Sequence, residues 1–284
     1  MRMRMRIGLA QLNSILGDVN GNLSRAHKVV AEAKSEGVDL VVFPELFLTG
    51  YSLAEIEEDV SLEVDDERIR ALAADANSTG ILIGFQEGQR RPHTYNSAAY
   101  IEDGRVVHTH RKAYLATYGQ WEESKHFTPG SSLRAFDTRF GRMATLICFD
   151  VWQPAFVFLA IQDGAQVLLV PSNSVRKEFA DQTQNHDFWS DITRFYASMF
   201  ECYVVFVNRV GDEGELNFWG GSHVVDPQGN VVVEAPRDEE ALVVTDIDLG
   251  AVDRRRRETP LLKEARLGVL MKELERLASR GGHL

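Results

Sequence analysis

The chain has 284 residues, 44% of them hydrophobic, enough for a sizeable core in one large domain or two of ordinary size. Its 31 basic and 42 acidic residues leave a formal net charge of −11, which removes the attraction that binding to nucleic acid or an anionic membrane rests on. Small molecules or other proteins are the expected partners.

Met1 to Arg6 alternates Met and Arg, and Gln11 and Asn13 soon interrupt the apolar stretch that follows, so no secretory core is expected. No run approaches the roughly 18 to 20 apolar residues of a membrane span. Cys148 and Cys202 are the only cysteines. Two cannot build a disulfide framework for this length; they fit a reducing, cytoplasmic setting and speak against a structural zinc site. No metal or cofactor is expected.

Strand and helix signals alternate along the chain. An apolar run at Ile7 to Leu12 precedes a helical stretch from Asn20 to Ser35, then Val38 to Phe43, rich in β-branched residues. A charged helical segment from Glu67 to Asn77 follows, then a strand from Gly80 to Phe85. Two alternating runs, Tyr95 to Ile101 and Arg105 to His110, are joined by the turn Glu102-Asp103-Gly104 as a hairpin. Arg142 to Ile147 and Gln166 to Val170 read as buried strands. They flank a helix that Pro154 opens and on which Phe156, Leu159 and Ala160 share a face.

From Asp181 to Glu201 the spacing of Phe188, Ile192, Phe195, Tyr196 and Met199 predicts a longer helix, followed by a strand from Tyr203 to Val207. Ser222 to Val225 and Val231 to Val233 pair across Asp226-Pro227-Gln228-Gly229, a strand spans Ala241 to Ile247, and Leu261 to Ala278 reads as a helix. The alternation predicts an α/β protein. With no linker, repeat or composition break, residues 1–284 read as one domain, with a core of about 7–248 and a helical segment 249–284 available for assembly contacts. The basic run Arg254 to Arg257 reads as a solvated helix face or partner contact.

Three segments place a reactive side chain at the end of an apolar strand, where α/β proteins commonly hold their sites. Val41-Val42-Phe43-Pro44 ends in Glu45, where a carboxylate can serve as a base. The hairpin ends in His110-Arg111-Lys112, before a polar and aromatic loop, Tyr114 to Phe127, that closes with Pro129-Gly130. Leu146-Ile147 leads into Cys148 on a strand-to-helix turn, a setting that favours a thiolate. Taken singly, each has an ordinary reading: a charged strand terminus, a surface lysine, an inert buried thiol. Cys202, between Phe200 and Tyr203 in an apolar run, keeps that last reading.

Together the three segments resemble the nitrilase, or carbon-nitrogen hydrolase, superfamily, whose members share a Glu-Lys-Cys triad in that order. Phe43-Pro44-Glu45 with Gly50-Tyr51 is similar to the glutamate motif. Arg111-Lys112 with Tyr118-Gly119 is similar to the lysine motif, and Cys148 with Asp150, Trp152 and Pro154 to the cysteine motif. The likeness runs on through Glu123, Pro171-Ser172, Asn208-Arg209-Val210-Gly211 and Gly220-Gly221-Ser222, covering about Ile7 to Asp248.

The resemblance implies a four-layer α-β-β-α sandwich that pairs through helices into homodimers or larger homo-oligomers. It implies Cys148 as nucleophile, Glu45 as general base and acid, Lys112 and the Phe149 N–H as oxyanion hole, and Glu123 as an additional glutamate that orients Lys112 or substrate. Tyr51, Trp121, Trp152, Asn173 and Trp189 are candidate pocket residues, with core packing as the ordinary reading of the aromatic ones. The sequence departs from relatives at Phe149 and Ala116, which stand where Glu, Tyr or Trp, and Pro, respectively, are common.

Within the superfamily the loop Tyr118-Gly119-Gln120-Trp121-Glu122-Glu123 looks like those of amidases and of glutaminase domains attached to NAD synthetases. A small carboxamide is therefore the expected substrate. A nitrilase, an N-carbamoyl amidohydrolase and, in a different class, a non-catalytic scaffold that keeps the fold are the alternatives.

Overall fold

A computed structural model of the chain describes residues 4–53, 56–89, 93–119, 121–176 and 185–281. The first half of the chain supplies β1 (Arg4–Gln11), α1 (Val19–Ser35), β2 (Leu40–Val42), α2 (Glu67–Ala76), β3 (Gly80–Gln89), β4 (His93–Glu102) and β5 (Arg105–Arg111). The second half supplies β6 (Phe136–Asp137), β7 (Arg142–Thr145), α3 (Pro154–Gln162), β8 (Val167–Ser172), α4 (Asn185–Phe200) and β9 (Tyr203–Asn208). There follow β10 (Val210–Glu213), β11 (Leu216–Trp219), β12 (His223–Val225), β13 (Val231–Glu234), β14 (Ala241–Asp248), α5 (Leu249–Glu258) and α6 (Leu267–Ser279).

The strands form two six-stranded sheets, ordered β14-β1-β2-β3-β4-β5 and β13-β12-β9-β8-β7-β6, and a small β10-β11 ribbon. At the centre of each sheet three neighbours run parallel, β1-β2-β3 in one and β7-β8-β9 in the other, while the flanking strands are antiparallel. The period-2 alternation of side chains divides these strands between two cores. Met5, Ile7, Leu9, Leu40, Val42 and Leu82 face Met143, Val167, Leu169, Val205 and Val207 between the sheets. On the other face of the first sheet, Val41, Phe43, Ile81, Ile83 and Phe85 meet Leu23, Ala26, Val30, Ile69 and Leu72 of α1 and α2. Leu168, Val170, Val204 and Phe206 meet Val157, Ala160, Ile161, Trp189 and Tyr196 of α3 and α4. Three cores separate four layers, helix, sheet, sheet, helix, as the resemblance implied.

Strand-by-strand expectations hold with shifts of a few residues at the ends, but three helical readings need correction. On α3 the buried face is Val157, Ala160 and Ile161, while Leu159, expected inside, is exposed. On α4 the stripe Phe188, Phe195 and Met199 faces outward and Trp189, Thr193, Tyr196 and Ala197 face the sheet. That helix is described from Asn185; residues 181–184 of its expected span lie outside the described residues. The expected helix from Leu261 to Ala278 is instead α6, starting at Leu267, and Arg254 to Arg257 belong to the separate α5. No residue of α6 is buried, and Leu270, Met271, Leu274 and Leu277 are exposed on it. Among the described residues, no helix is long and apolar enough to cross a membrane.

Candidate active site

Glu45 and Cys148 follow parallel strands, β2 and β7, and Lys112 follows β5, the edge strand of the first sheet. Glu45 lies three residues beyond β2, after Phe43 donates its N–H to Leu82 O at 2.8 Å. The turn that carries it folds back over β3 so closely that a Cβ on Gly84 would lie 2.4 Å from Leu46 N and 2.7 Å from Pro44 O. Lys112 follows β5, its own N–H donating to Asn96 O at 2.8 Å. Cys148 follows β7 on a five-residue 3-10 turn, Cys148–Trp152, with φ of +45°. A non-glycine residue there costs about 1 to 3 kcal/mol and persists only where its surroundings hold it. The helix that follows the thiol opens at Pro154, as the sequence indicated, with the 3-10 turn between them.

Asp150 is what holds that turn. Its carboxylate is fully buried; Oδ2 accepts from Ile147 N at 3.0 Å and lies 2.9 Å from His110 Nε2. Oδ1 accepts from Ala113 N at 3.0 Å and Tyr114 N at 2.9 Å. One side chain thus ties the nucleophile turn to both sides of Lys112. The cysteine motif includes Asp150, but this tie joins segments about forty residues apart, and nothing in its local sequence announces it.

Lys112 Nζ donates to Glu45 Oε1 at 2.7 Å and to Glu123 Oε1 at 2.8 Å, and all three side chains are buried. Asn96 Nδ2 donates to Glu45 Oε1 at 2.7 Å, and the Asn173 N–H donates to Glu45 Oε2 at 2.8 Å. Glu123 Oε1 also accepts from the Tyr51 hydroxyl at 2.7 Å, and its Oε2 from Ala116 N at 3.0 Å. Burial raises the pKa of Glu45 above the ordinary carboxylate value and outweighs the neighbouring ammonium. Burial works against the charge on Lys112, but the Glu123 and Glu45 carboxylates override it and hold the ammonium well above its ordinary pKa. Burial, then the Glu123 charge, keeps the Tyr51 hydroxyl protonated far above its usual range.

Glu45 and Glu123 line a small cleft together with Cys148, Phe149 and all five candidate pocket residues, Tyr51, Trp121, Trp152, Asn173 and Trp189, while Lys112 lies buried behind its wall. Ala116, Tyr118 and Ser174 complete the wall. Tyr118 belongs to the lysine motif seen in the sequence but was not among the pocket candidates; Ser174 was not singled out, and its one signal is that it follows Asn173. Tyr118, Phe149 and Trp152 pack mutually, with ring centroids 5.1 to 5.9 Å apart. The indoles of Trp189 and Trp219 both donate to Ser174 Oγ, at 2.9 and 3.3 Å. Glu122, beside Glu123, is exposed and pairs with Lys125 at 2.5 Å. Cys202 is buried away from the cleft, and burial pushes its thiol pKa up to about 12, which keeps it an unreactive thiol.

A carboxylate, an ammonium and a thiol around one small cleft suit covalent catalysis on a carbonyl or nitrile carbon. Comparison with known proteins points the same way. The chain is 32% identical to the glutamine-dependent NAD(+) synthetase of Thermotoga maritima over 99% of its own length, but spans only 49% of that protein. It is 27% identical to the N-carbamoylputrescine amidase of Arabidopsis thaliana, covering 88% of each chain. The amidase from Nesterenkonia sp. AN1, solved in complex with acrylamide, superposes with a TM-score of 0.81 at 26% identity, over 95% of this chain and 97% of that one. The Carbon-nitrogen hydrolase family model matches residues 6–257. Fold, site and family match agree: the chain belongs to the carbon-nitrogen hydrolase family, in the amidase-like branch of the nitrilase superfamily.

Proposed function

We propose that the chain hydrolyses a small primary carboxamide to the carboxylic acid and ammonia through a thioester on Cys148. The observation that carries this reading is the buried chain Glu45–Lys112–Glu123, whose two glutamates line the cleft that Cys148 enters. Glu45 Oε2 accepts one N–H, from Asn173, and keeps a lone pair for the thiol proton. Its raised pKa brings it closer to that of a thiol, which eases the transfer. As the sulfur adds to the carbonyl carbon, negative charge develops on the oxygen. Lys112 has spent two of its three N–H donors on the glutamates, and the third, with the Phe149 N–H, stabilises that oxyanion.

Protonated Glu45 then gives its proton to the amide nitrogen, the C–N bond breaks and ammonia leaves. Water, deprotonated by Glu45, attacks the thioester; the C–S bond breaks and the thiol recovers the proton. Glu123 orients Lys112, and Tyr51 orients Glu123. The cleft has free room for about one water-sized sphere, about 10 Å³, which favours a substrate of few heavy atoms.

The test is ammonia release from aliphatic, aromatic and amino-acid amides, with nitriles and N-carbamoyl amines alongside, comparing wild type with Cys148→Ala. Release from amides that the substitution abolishes supports the reading. Turnover of nitriles or carbamoyl compounds alone replaces it with one of those branches, and no turnover by either protein favours a scaffold. We further propose that residues 1–284 act as one domain in the cytoplasm without a cofactor. The exposed apolar faces of α4 and α6 suit pairing with a second copy, and light scattering of the purified protein reads that state.

A further inference from the structure

We infer that Asn173 reads the leaving group: its Oδ1 accepts an N–H of the substrate amide and thereby selects carboxamides over nitriles. This rests on the amidase reading above and adds to it the group that sets substrate class. Asn173 is 3% exposed and lies in the cleft wall beside Glu45. Its backbone N–H donates to Glu45 Oε2, and its Nδ2 donates to Glu45 O at 2.9 Å. The second bond fixes which way the amide faces, because only the nitrogen can meet a carbonyl oxygen. Oδ1 is left on the other branch, buried and with no partner among the described residues. Asn96 Oδ1 also has none among them, but Asn96 does not line the cleft.

A buried acceptor without a donor is costly and is normally satisfied by something. The cleft supplies the opportunity, and a primary carboxamide supplies the donors. Its oxygen takes Lys112 and the Phe149 N–H, one N–H faces Glu45 Oε2, and the second is available to Asn173 Oδ1. A nitrile has no N–H, and neither has the alkoxy group of an ester, so both leave Oδ1 unpaired once they fill the cleft. The bond also strengthens along the reaction. As Glu45 protonates the nitrogen, the departing group acquires positive charge, and an N⁺–H···O bond is stronger than a neutral one.

The experiment compares kcat/KM for propionamide, propionitrile and methyl propionate with wild type and Asn173→Ala. The backbone bond from residue 173 to Glu45 survives the substitution, and ester turnover reports an intact fold and nucleophile. Wild type is expected to prefer propionamide over propionitrile by about 100-fold or more. Asn173→Ala is expected to lose about 10- to 100-fold more activity on the amide than on the ester. Equal loss on amide and ester overturns the inference, since a side chain that only holds Glu45 serves both substrates alike. Comparable wild-type rates on amide and nitrile overturn it as well, without any variant, and leave the amidase reading standing. No wild-type amide turnover removes the amidase reading itself.

Discussion

Replacing Asp150 by Asn tests whether one buried carboxylate holds the nucleophile turn and the lysine loop together. Asp150 receives three backbone N–H groups and faces His110 Nε2, all within 2.9 to 3.0 Å. The amide of Asn keeps one oxygen, and the best placement leaves it at Oδ1, on Ala113 and Tyr114. Its NH2 then meets His110, which can switch tautomer and accept, and Ile147 N–H, which cannot. One charge-assisted bond is lost and one buried N–H is stranded, which costs about 2 to 3 kcal/mol. For a chain of this size that lowers the melting temperature by roughly 5 to 10 °C. Because Ile147 precedes Cys148, kcat/KM on the best amide should fall by about 10-fold or more from a misplaced nucleophile. In a His110→Phe background the new NH2 has no acceptor, so the double variant should lose more stability than the sum of the singles. Thermal melts and initial rates on the four proteins decide this. Asp150→Asn with wild-type melting temperature and kcat/KM would refute the reasoning.

Three other predictions follow from the same geometry. Gly84→Ala puts a methyl group into the Glu45 turn and should cost about 1 to 3 kcal/mol in a denaturant titration, with a drop in kcat/KM; unchanged stability would mean that the turn moves aside freely. Because burial raises the Glu45 pKa above 4.5, kcat/KM should be complete above that raised value and fall as pH drops through it, and an acid limb at or below 4.5 would count against Glu45 as the base. Glu45→Gln should lower kcat by at least about 1,000-fold; relief of its buried charge is offset by the Asn173 N–H left facing the Gln NH2, so it should melt at pH 8 well above Lys112→Ala. Lys112→Ala should destabilise by about 3 to 5 kcal/mol, and the reverse order of stabilities would exclude the charge arrangement described here.

How much of this was readable in the sequence depended on range. Glu45, Lys112 and Cys148 follow apolar strand ends, and the order of their motifs brought them together before any coordinate did. Apolar, β-branched runs along β1, β2, β8 and β9 and alternation along β4 and β5 likewise marked strands, because both patterns are written locally. Helix faces were harder: α4 carries Phe188, Ile192, Phe195 and Met199 on one stripe and Trp189, Tyr196 and Ala197 on another, and periodicity does not say which stripe meets the sheet. The α6 boundary shifted because Leu261 and Leu262 continue the apolar spacing, although the helix begins only at Leu267. Asn96, Asp150 and Asn173 act across sequence distances of 51, 40 and 128 residues, in bonds to Glu45, to His110 and again to Glu45. Nothing in their own neighbourhoods encodes those partners.

The contrast between Glu45→Gln and Lys112→Ala follows from charge balance in the buried cluster. Two carboxylates share one ammonium, so with both ionised the set carries a net negative charge among almost wholly buried side chains. That surplus is tolerable because four further donors, from Tyr51, Ala116, Asn96 and Asn173, are spread over the two carboxylates. Removing the Glu45 charge leaves a neutral Lys112–Glu123 pair and relieves the very burial that raises the Glu45 pKa. A group whose folded pKa is raised stabilises the fold most when protonated, and that contribution is lost as pH rises through the folded value. Ionised Glu45 is therefore a cost to stability, kept because the reaction needs a base there. Removing Lys112 does the opposite and leaves two buried carboxylates with no cation between them. Within the proposed mechanism, Glu123 makes this arrangement useful. It holds the ammonium charged and in place while the thiol proton on Glu45 switches off that residue's share of the attraction, so Lys112 turns toward the oxyanion as the oxyanion forms.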